Sequence, residues 1–530
     1  MNYLDYKKED NRVLGRILQT QAETIGDDVF IRQDDVSYTY AETWGLACRY
    51  ATGLKAFGVG REDNVNIFME SCPEYIFAAF ACNLLGARWI PVNTDYRGKW
   101  LLETIEDSQP AALLTDRKYS ENLPESVRES YTTLIKDGEN DNLTFESLEQ
   151  SDDTGFEPFF GHYGDTVAIL WTSGTTGKSK GVMQSHNTWL RAALNTAGMG
   201  RLSEGDVTYN CLPLYNSAAW VTSVFPALIS GTKLAIDPAF SASNFWDRTR
   251  YYDATHIFTL GAMHMFLWNA PPSEQDRDNP VRSANMIPMP PDIHRPFCRR
   301  FGIKAIHQGF GQSEVMGGMS RPDDGVTEYP PGALGHPDDD IEVILLDDQN
   351  QVVPVGEPGE ICMREVKPHT LFNGYFNAPD TTEEAWSGGW YHSGDLARQD
   401  ENGHYFFVDR KKDVIRYKGR NVSSLAIENV ARCHQDLQDV AVYGVTSDEL
   451  EAEHEIMLMA VPAPGASPSA GEIARYINDN APYFFVPRYI EFAESLPMTP
   501  TQKVRKVELR KHGVTASTWD ARAEGFKVQR

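Results

Sequence analysis

A short apolar run that leads into a loop of small polar residues is the feature that most constrains this chain. The run extends from Val167 to Trp171, and the nine residues after it are only threonine, serine, glycine and lysine. Glycine lets a ligand approach the backbone, hydroxyl and N–H groups donate to anionic oxygens, and Lys178 and Lys180 add positive charge. An ordinary surface loop has no reason to exclude acidic and apolar residues. The pattern therefore predicts a strand followed by a phosphate-binding loop.

This loop differs from a Walker A motif, although Gly177, Lys178 and Ser179 repeat three residues of that motif. A Walker A loop requires a glycine five positions before Gly177, where this chain has Thr172. The spacing therefore argues against a P-loop kinase or ATPase.

The composition is that of a globular chain with an acidic surface. Of 530 residues, 41% are hydrophobic and 23% are charged. A chain of this length and composition can bury a large core and predicts about two to four compact units. The 49 basic and 75 acidic side chains give a net charge of −26. Such a field repels nucleic-acid phosphates and anionic membrane surfaces, so we expect no nucleic-acid partner.

The sequence favours a cytoplasmic protein without a membrane span. Seven cysteines occur without a CxxC pair, which favours a reducing compartment over a disulfide framework or a zinc site. The start, MNYLDYKKEDNRVL, is charged where a secretory signal requires an apolar run. Residues 207–232 carry no charge, but Asn210, Pro213, Asn216 and Pro226 interrupt them. We therefore expect a buried core segment there rather than a membrane span.

The order of the patterns predicts an α/β fold in two domains. Short β-type runs (VNIFM, VAIL, KLAI, HIFTL) alternate with helical patterns such as residues 73–87, as in layers with partly parallel sheets. From Gly403 onward a second, α+β pattern begins. We place the boundary near Lys412, with an N-terminal domain of residues 1–411 and a C-terminal domain of residues 412–530.

Five further segments, together with the loop, resemble the motifs of the adenylate-forming superfamily. They are SCPEYI at 71–76, GFGQSE at 309–314, WYHSGDLA at 390–397, DRKKDVIRYKGRNVSS at 409–424 and LPMTPTQKVRK at 496–506. The superfamily contains acyl- and aryl-CoA ligases, peptide-synthetase adenylation domains and firefly-type luciferases. The resemblance implies a large N-terminal domain of sheets layered with helices and a small mobile C-terminal α+β lid. Ser179 replaces a proline that is usual in the family, and Gln502 replaces a frequent glycine.

The resemblance assigns a set of residues to the binding of ATP or AMP. They are Thr172, Ser173, Gly174, Thr175, Thr176, Gly177, Lys178, Lys180, Gly309, Phe310, Ser313, Asp395 and Arg410. Within this set, Phe310 would stack on adenine and Ser313 would bond a phosphate oxygen. Asp395 would accept hydrogen bonds from the ribose hydroxyl groups, and Arg410 would contact ribose or phosphate.

The catalytic residues that the resemblance implies are Lys503, Glu314 and Thr175. Glu314 would hold Mg²⁺, for which a hard carboxylate is a suitable ligand. Lys503 would bridge the acid substrate and the α-phosphate. Lys412 would be the hinge between the domains. Gly419 would line the CoA channel, because a residue without a side chain leaves a narrow tunnel open. A glycine that only forms an ordinary turn is an equally weighted alternative to this role.

The residues expected around the acyl pocket are Tyr215, Asn216, Trp220, Gln308, Val315 and Met316. For the last four, ordinary core packing is the alternative. Relatives have a histidine where this chain has Asn216, which forms hydrogen bonds but carries no charge near neutral pH. Residues 286–288 align with an adenine-side segment that is smaller in relatives. His186 and His307 lie near motifs, and we expect both to be structural.

The resemblance thus implies an AMP-forming, ATP-dependent acid–CoA ligase, most similar to bacterial ligases of the carnitine/crotonobetaine type. A carboxylate would react with MgATP to give an acyl-adenylate and pyrophosphate, and CoA would then displace AMP to give a thioester. Substrates and cofactors are therefore a small carboxylic acid, ATP, Mg²⁺ and coenzyme A, and a homodimer is left open. Three alternatives also stay open: an enzyme that loads a separate carrier protein, a luciferase-like oxygen-using enzyme, and a catalytically inactive nucleotide-binding protein.

Overall fold

The chain forms two compact units in a computed structural model, which describes residues 4–138, 143–172, 179–321, 329–417, 420–446, 454–499 and 503–529. The described residues of the first unit belong to Met1–Thr172, Ser179–Glu342 and Arg364–Glu384, and those of the second to Val343–Met363 and Ala385–Arg530. The second unit therefore includes segments that lie before the predicted boundary at residues 411 and 412. A hinge at Lys412 stays a prediction, because compactness does not identify a hinge.

The larger sheet of the first unit is parallel over most of its width. In spatial order its strands are Ala333–Pro337, Met319–Arg321, Ala305–Phe310, Ser283–Ile287, His256–Leu260, Val207–Asn210, Lys233–Ile236, Val29–Gln33 and Val36–Thr39. The six strands from Ala305–Phe310 to Val29–Gln33 are parallel to their neighbours within that group, and the outer pairs are antiparallel. The central strands are mostly buried, as is usual when helices cover both faces of a sheet.

The second sheet of the first unit carries the strands on either side of the predicted phosphate loop. In spatial order its strands are Leu143–Thr144, Thr132–Lys136, Ala112–Asp116, Asn64–Phe68, Arg88–Pro91, Thr166–Thr172 and Lys180–Ser185. Neighbouring strands are parallel except the last pair, which is antiparallel. The apolar run at residues 167–171 is thus part of a largely buried strand, as the sequence predicts.

Helices of the first unit begin where the local sequence favours a start. Thr39 and Glu42 form a capping box, and Pro73 stands in a first turn, where its missing N–H is not needed. The helices are Leu14–Thr24, Tyr40–Ala56, Pro73–Leu84, Gly98–Ser108, Arg117–Ser120, Glu125–Ser130, Phe145–Glu149, His186–Gly200, Ser217–Ala219, Phe225–Ser230, Phe245–Tyr252, Gly261–Asn269, Pro291–Phe301 and Pro379–Ala385. Shorter 3₁₀ turns cover Glu9–Arg12 and Glu274–Arg277, and a π turn covers Trp220–Val224.

The second unit carries a sheet, a two-stranded ribbon and a separate mixed sheet. The first sheet has, in spatial order, Ile341–Leu346, Gly359–Glu365, Trp390–Gln399 and Tyr405–Arg410, with Trp386–Ser387 beside Trp390–Gln399. The ribbon pairs Ile415–Tyr417 with Arg420–Val422, and the mixed sheet contains Leu437–Thr446, His454–Pro462, Tyr489–Phe492 and Trp519–Asp520. Its helices are Ser424–Arg432, Ala470–Asn480 and Lys506–His512, with a 3₁₀ turn at Tyr483–Phe485. Ile427 and Ile473 from two of these helices share one buried apolar cluster with Val442 and Leu458 from the mixed sheet.

The fold class predicted from the sequence is confirmed. The predicted strands KLAI and HIFTL are Lys233–Ile236 and His256–Leu260, and the helical pattern at residues 73–87 is the helix Pro73–Leu84. Within the described ranges, none of the helices is both long enough and apolar enough to cross a membrane.

Trp220 belongs to the aromatic core of the first unit. The side chain is 1% exposed, and its ring centroid lies 4.5 Å from that of Trp89 and 5.3 Å from that of Phe225. Its indole N–H donates to the carbonyl oxygen of Leu214 at 2.7 Å. The charge-free segment 207–232 therefore contributes to a buried core, as the sequence predicts.

Replacing Trp220 by alanine should destabilise the first unit by about 3–5 kcal/mol, because the loss of a buried tryptophan leaves a cavity that its neighbours fill only in part. Thermal unfolding measures the effect. Trp100→Ala is the matched control, since the Trp100 side chain is 42% exposed and its loss should change stability by only about 0.5 kcal/mol. Equal effects of the two substitutions would contradict a core role for Trp220.

Candidate active site

Strand pairing holds the two ends of the predicted phosphate loop side by side. Thr172 and Lys180 are paired at the end of the ladder, and the Thr172 hydroxyl donates to the Lys180 carbonyl oxygen at 3.4 Å. The residues between them to which the sequence assigned phosphate contacts, Ser173, Gly174, Thr175, Thr176, Gly177 and Lys178, lie outside the described residues. Their role therefore stays a prediction.

Tyr375 connects this strand pair to the end of the GFGQSE motif. Its backbone bridges to Val182, and its ring centroid lies 4.8 Å from the Lys180 ammonium nitrogen. Its hydroxyl donates to Oε1 of Glu314 at 2.9 Å. The Gln184 side-chain amide also donates to the carbonyl oxygen of Ser313. The predicted metal-binding carboxylate and a predicted phosphate-binding lysine therefore lie on two sides of one phenol, a connection that the sequence did not indicate.

The GFGQSE motif begins at the end of the strand Ala305–Phe310. A Cβ at Gly309 would lie 2.6 Å from the carbonyl oxygen of Met319, so a side chain does not fit there. The Phe310 side chain is only 7% exposed. The close approach of the Met319 carbonyl explains why glycine stands before the aromatic residue in this chain, and stacking of Phe310 on adenine stays a prediction.

Arg191 fixes the backbone that follows the motif. Its guanidinium is buried, donates to the carbonyl oxygen of Met316 at 3.0 Å, and pairs with Asp338 at 3.0 Å and Asp340 at 2.6 Å. Burial alone would raise the pKa of Asp340, but hydrogen bonds and charge from Arg191 bring it below its usual value. Arg191 is not among the site residues predicted from the sequence. Its signal is the presence of a charged residue within the mostly apolar run WLRAAL of one helix.

The residues assigned to the acyl pocket are largely engaged in packing and hydrogen bonds. Asn216 accepts a hydrogen bond from the Ala218 N–H at 3.0 Å, and the Tyr215 hydroxyl donates to Asp95 at 3.5 Å. Gln308 accepts from the Met289 N–H at 3.1 Å. Gln308, Trp220, Val315 and Met316 are buried. Asn216 thus uses its side chain as a helix cap, and lining of an acyl pocket by this set stays a prediction.

His186 and His307 have structural surroundings. Nδ1 of His186 accepts a hydrogen bond from the Leu14 N–H at 3.3 Å, and burial lowers the pKa of His186 to about 3. His186 is therefore neutral near pH 7. Nε2 of His307 lies 3.0 Å from the Ser283 hydroxyl inside the core. These contacts agree with the structural role expected for both histidines.

In the second unit, strand pairing brings Asp395 and Arg410 together. They are paired residues on adjacent antiparallel strands, with Arg410 Nε 3.8 Å from Asp395 Oδ1. Lys412 follows in a turn, where its carbonyl oxygen accepts from Arg510 at 3.2 Å, and Arg510 also pairs with Asp413 at 2.6 Å. The arrangement can present a carboxylate and a guanidinium to one polar ligand.

Asp409, beside Arg410, binds the first N–H groups of the helix Ser424–Arg432, for which Ser423 is the N-cap. Its buried carboxylate accepts from the backbone N–H of Ser424 at 2.6 Å and from the Ser424 hydroxyl at 2.7 Å. Burial raises the pKa of Asp409, and the nearby Lys506 opposes that rise. Asp409 is not among the site residues predicted from the sequence, although an acidic residue is a usual partner for the first N–H groups of a helix.

Lys503 is exposed, and backbone contacts join its segment to the residues at 498 and 499. Its N–H donates to the Thr499 hydroxyl at 2.9 Å, and an isolated bridge joins Met498 to Val504. The chain from Pro500 to Gln502 lies outside the described residues, as does Gly419. A catalytic role for Lys503 and a channel at Gly419 stay predictions.

Comparisons with known proteins match both parts of the chain. The model of the family "AMP-binding enzyme" matches residues 18–376, and that of "AMP-binding enzyme C-terminal domain" matches residues 426–503. A crotonobetaine/carnitine–CoA ligase of Salmonella typhi is 30% identical over 491 residues, covering 89% of this chain and 93% of the relative. The corresponding protein of Salmonella paratyphi B is 29% identical over 491 residues with the same coverage.

Solved structures show the same fold at lower identity. The anthranilate CoA ligase AuaEII in complex with anthranoyl-AMP has a TM-score of 0.85 at 21% identity, covering 94% of this chain and 96% of its own. A benzoate CoA ligase from Burkholderia xenovorans LB400 has a TM-score of 0.84 at 21% identity, covering 94% and 99%. Because both family models are present in order and the first spans most of the chain, this protein belongs to the AMP-binding enzyme family, as its motifs predicted.

Proposed function

We propose that the protein is an AMP-forming acid–CoA ligase. It joins a carboxylic acid to ATP with release of pyrophosphate and then transfers the acyl group to coenzyme A with release of AMP. The observation that carries this proposal is the match to curated acid–CoA ligases over 89% of the chain, which includes the C-terminal family domain. A cytoplasmic location and a homodimer stay predictions from the sequence.

The residues around Tyr375 fit a magnesium–nucleotide complex. Glu314 offers carboxylate oxygens, which suit Mg²⁺, and the Tyr375 hydroxyl orients that carboxylate. A related o-succinylbenzoate CoA synthetase, MenE from Bacillus subtilis, has been solved with ATP and a magnesium ion. Bound there, Mg²⁺ would neutralise phosphate charge and act as a Lewis acid. The Lys180 ammonium lies over the Tyr375 ring, 4.8 Å from its centroid, and would attract the phosphate oxygens.

The first half-reaction joins two anions, so positive charge must collect around the phosphorus. A carboxylate oxygen of the acid attacks the α-phosphorus, and the bond from that phosphorus to the bridging oxygen of pyrophosphate breaks. Lys503 would lie against both the acid and the α-phosphate, while Asp395 and Arg410 would hold the ribose. Positioning of the two reactants and stabilisation of developing charge together supply the acceleration.

In the second half-reaction the thiol of coenzyme A attacks the acyl carbon, and AMP leaves. We propose that Lys412 is the hinge about which the C-terminal domain turns between the two half-reactions, as the resemblance implies. The acid is proposed to be small. Betaine-like acids belong in the first panel because the curated relatives are named crotonobetaine/carnitine–CoA ligases.

The central test is a screen for acid-dependent AMP release with ATP, Mg²⁺ and coenzyme A. Short, medium, aromatic and betaine-like acids form the panel. Thioester formation that requires coenzyme A supports the proposal. Pyrophosphate exchange with transfer only to a carrier protein would favour a carrier-loading enzyme, and AMP release that is absent across the panel would contradict a ligase.

Lys503→Ala should lower the rate of acid-dependent AMP release by about 100-fold or more, because a charge that stabilises the transition state is lost. Steady-state kinetics with the best acid of the panel measures this loss. Lys511→Ala is the matched control, since Lys511 is an exposed lysine on the neighbouring helix Lys506–His512. A change below about threefold in Lys503→Ala would contradict its catalytic role.

Lys412→Pro should spare adenylate formation more than thioester formation, because only the second half-reaction requires the domain to turn about this residue. Isotope exchange between ATP and pyrophosphate reports the first half-reaction, and thioester yield reports the second. Lys412→Ala separates loss of the side chain from loss of backbone freedom. Equal loss of both half-reactions in Lys412→Pro would count against the hinge.

Tyr375→Phe should raise the Mg²⁺ concentration needed for half-maximal ATP binding by about tenfold, because a hydrogen bond to a charged carboxylate is worth about 1.5 kcal/mol. Calorimetric titration with ATP at several Mg²⁺ concentrations measures the change. Tyr251→Phe is the control, since its hydroxyl donates to an exposed carboxylate, that of Asp35, at 2.6 Å. Unchanged Mg²⁺ dependence would show that Tyr375 does not orient Glu314.

A further inference from the structure

A buried carboxylate outside the predicted set connects the strands that carry Asp395 and Arg410. Glu360 lies on the strand Gly359–Glu365 and is 5% exposed. Its Oε1 accepts from the Gly394 N–H at 3.0 Å, and its Oε2 accepts from the Lys411 ammonium at 3.0 Å. These two partners are the residue before Asp395 and the residue after Arg410.

The ladder beside Glu360 is irregular. Glu360 pairs with Leu396 and Cys362 pairs with His392, so three positions of one strand oppose five of its neighbour. The segment between His392 and Leu396 therefore bulges out of the ladder, and Gly394 within it has a φ of 71°. A bulge leaves backbone groups without ladder partners and changes the direction of a side chain. Glu360 supplies the partner for the Gly394 N–H at this point.

The charges around Glu360 keep it ionised. Burial alone would raise its pKa, but Lys411, His392 and the Gly394 N–H bring it below the usual value. His392 Nδ1 lies 3.2 Å from Glu360 Oε2. The Lys411 backbone N–H also donates to the carbonyl oxygen of Gly394 at 2.9 Å, so the two strands are tied at the bulge by main chain and side chains together.

We propose that Glu360 is a positioning residue for the nucleotide. By fixing the bulge at Gly394, it sets the direction in which Asp395 presents its carboxylate to the ribose hydroxyl groups. This role rests on the proposed function, which assigns the ribose to Asp395.

A zinc site is the competing interpretation of the same cluster. Ligand atoms of Glu360, Cys362 and His392 lie within 4.8 Å of one another. The Lys411 ammonium, however, contacts the carboxylate oxygen that a cation would need, and burial raises the pKa of the Cys362 thiol to about 12. Zinc binds the thiolate, so both features disfavour the metal.

The test compares the dissociation constants of AMP and 2′-deoxy-AMP by calorimetry, which requires no turnover. Wild-type protein should prefer AMP by about tenfold or more, because the deoxy ligand lacks one of the hydroxyl groups that would donate to the Asp395 carboxylate. Asp395→Ala and Glu360→Ala should each reduce this preference to near unity. The double variant should show no further change, because both act through one contact.

Two further variants keep the result interpretable. Glu360→Gln keeps an acceptor for the Gly394 N–H but loses the charge. Its preference for AMP should therefore lie between those of the wild type and Glu360→Ala. If the alanine variant does not fold, Glu360→Gln alone provides the test. Glu342→Ala is the control, since Glu342 pairs with Arg364 at a half-exposed position, and it should keep the wild-type ratio. A wild-type ratio in a folded Glu360 variant would overturn the proposal.

The results that would contradict the proposed function differ from those that would contradict the positioning role of Glu360. No binding of AMP by the wild-type protein would contradict the nucleotide-binding function itself, whereas binding with an unchanged ratio in the Glu360 variants contradicts only the positioning role. Titration with zinc chloride completes the test. Retention of one equivalent of zinc that is lost in Cys362→Ser would overturn the positioning role in favour of a metal site.

Discussion

The antiparallel pairing of Thr166–Thr172 with Lys180–Ser185 is the constraint on which the proposed nucleotide site depends. It brings both ends of the glycine- and threonine-rich loop to the edge of one sheet and leaves Lys180 beside the ring of Tyr375. The Tyr375 hydroxyl also donates to Glu314, so a cation and a carboxylate both lie against this one tyrosine side chain. A chain with a net charge of −26 needs such local ordering to hold an anionic substrate.

A buried group of charged side chains holds the segment that carries Glu314. Arg191 pairs with Asp338 and Asp340 and also binds the backbone after Glu314, so its guanidinium satisfies carboxylates and carbonyl oxygens together. A buried ion pair contributes little to stability by itself, but removing one partner leaves an uncompensated charge and is strongly unfavourable. We therefore expect the pairing to favour one conformation of the segment that carries Glu314 more than it adds net stability.

Much of the fold and the family could be predicted from the sequence because their signals are local. Apolar runs such as Val167–Trp171 and helix starts such as Pro73 depend on neighbours in the chain. Tyr375, Arg191 and Glu360 were missed because each gains its role from residues that are distant in sequence. Trp220 stands beside a predicted pocket motif and its ring packs among other aromatic side chains, a contact that no sequence neighbour indicates, and its place in an acyl pocket stays a prediction.

The pairing of Asp395 with Arg410 shows why a motif alone does not define a binding geometry. Successive side chains of a strand alternate between faces, so a shift of one residue would turn Asp395 to the other side of its sheet. Asp395 is paired with Arg410 on one side, but both ladders of its strand shift register nearby, and the ladder on the other side is interrupted between His392 and Leu396. Contacts from the neighbouring strands complete the geometry there: the Lys411 N–H donates to the carbonyl oxygen of Gly394, and Glu360 accepts from the Gly394 N–H. The direction of the Asp395 carboxylate thus depends on a tertiary contact with Glu360, which lies 35 positions earlier in the chain.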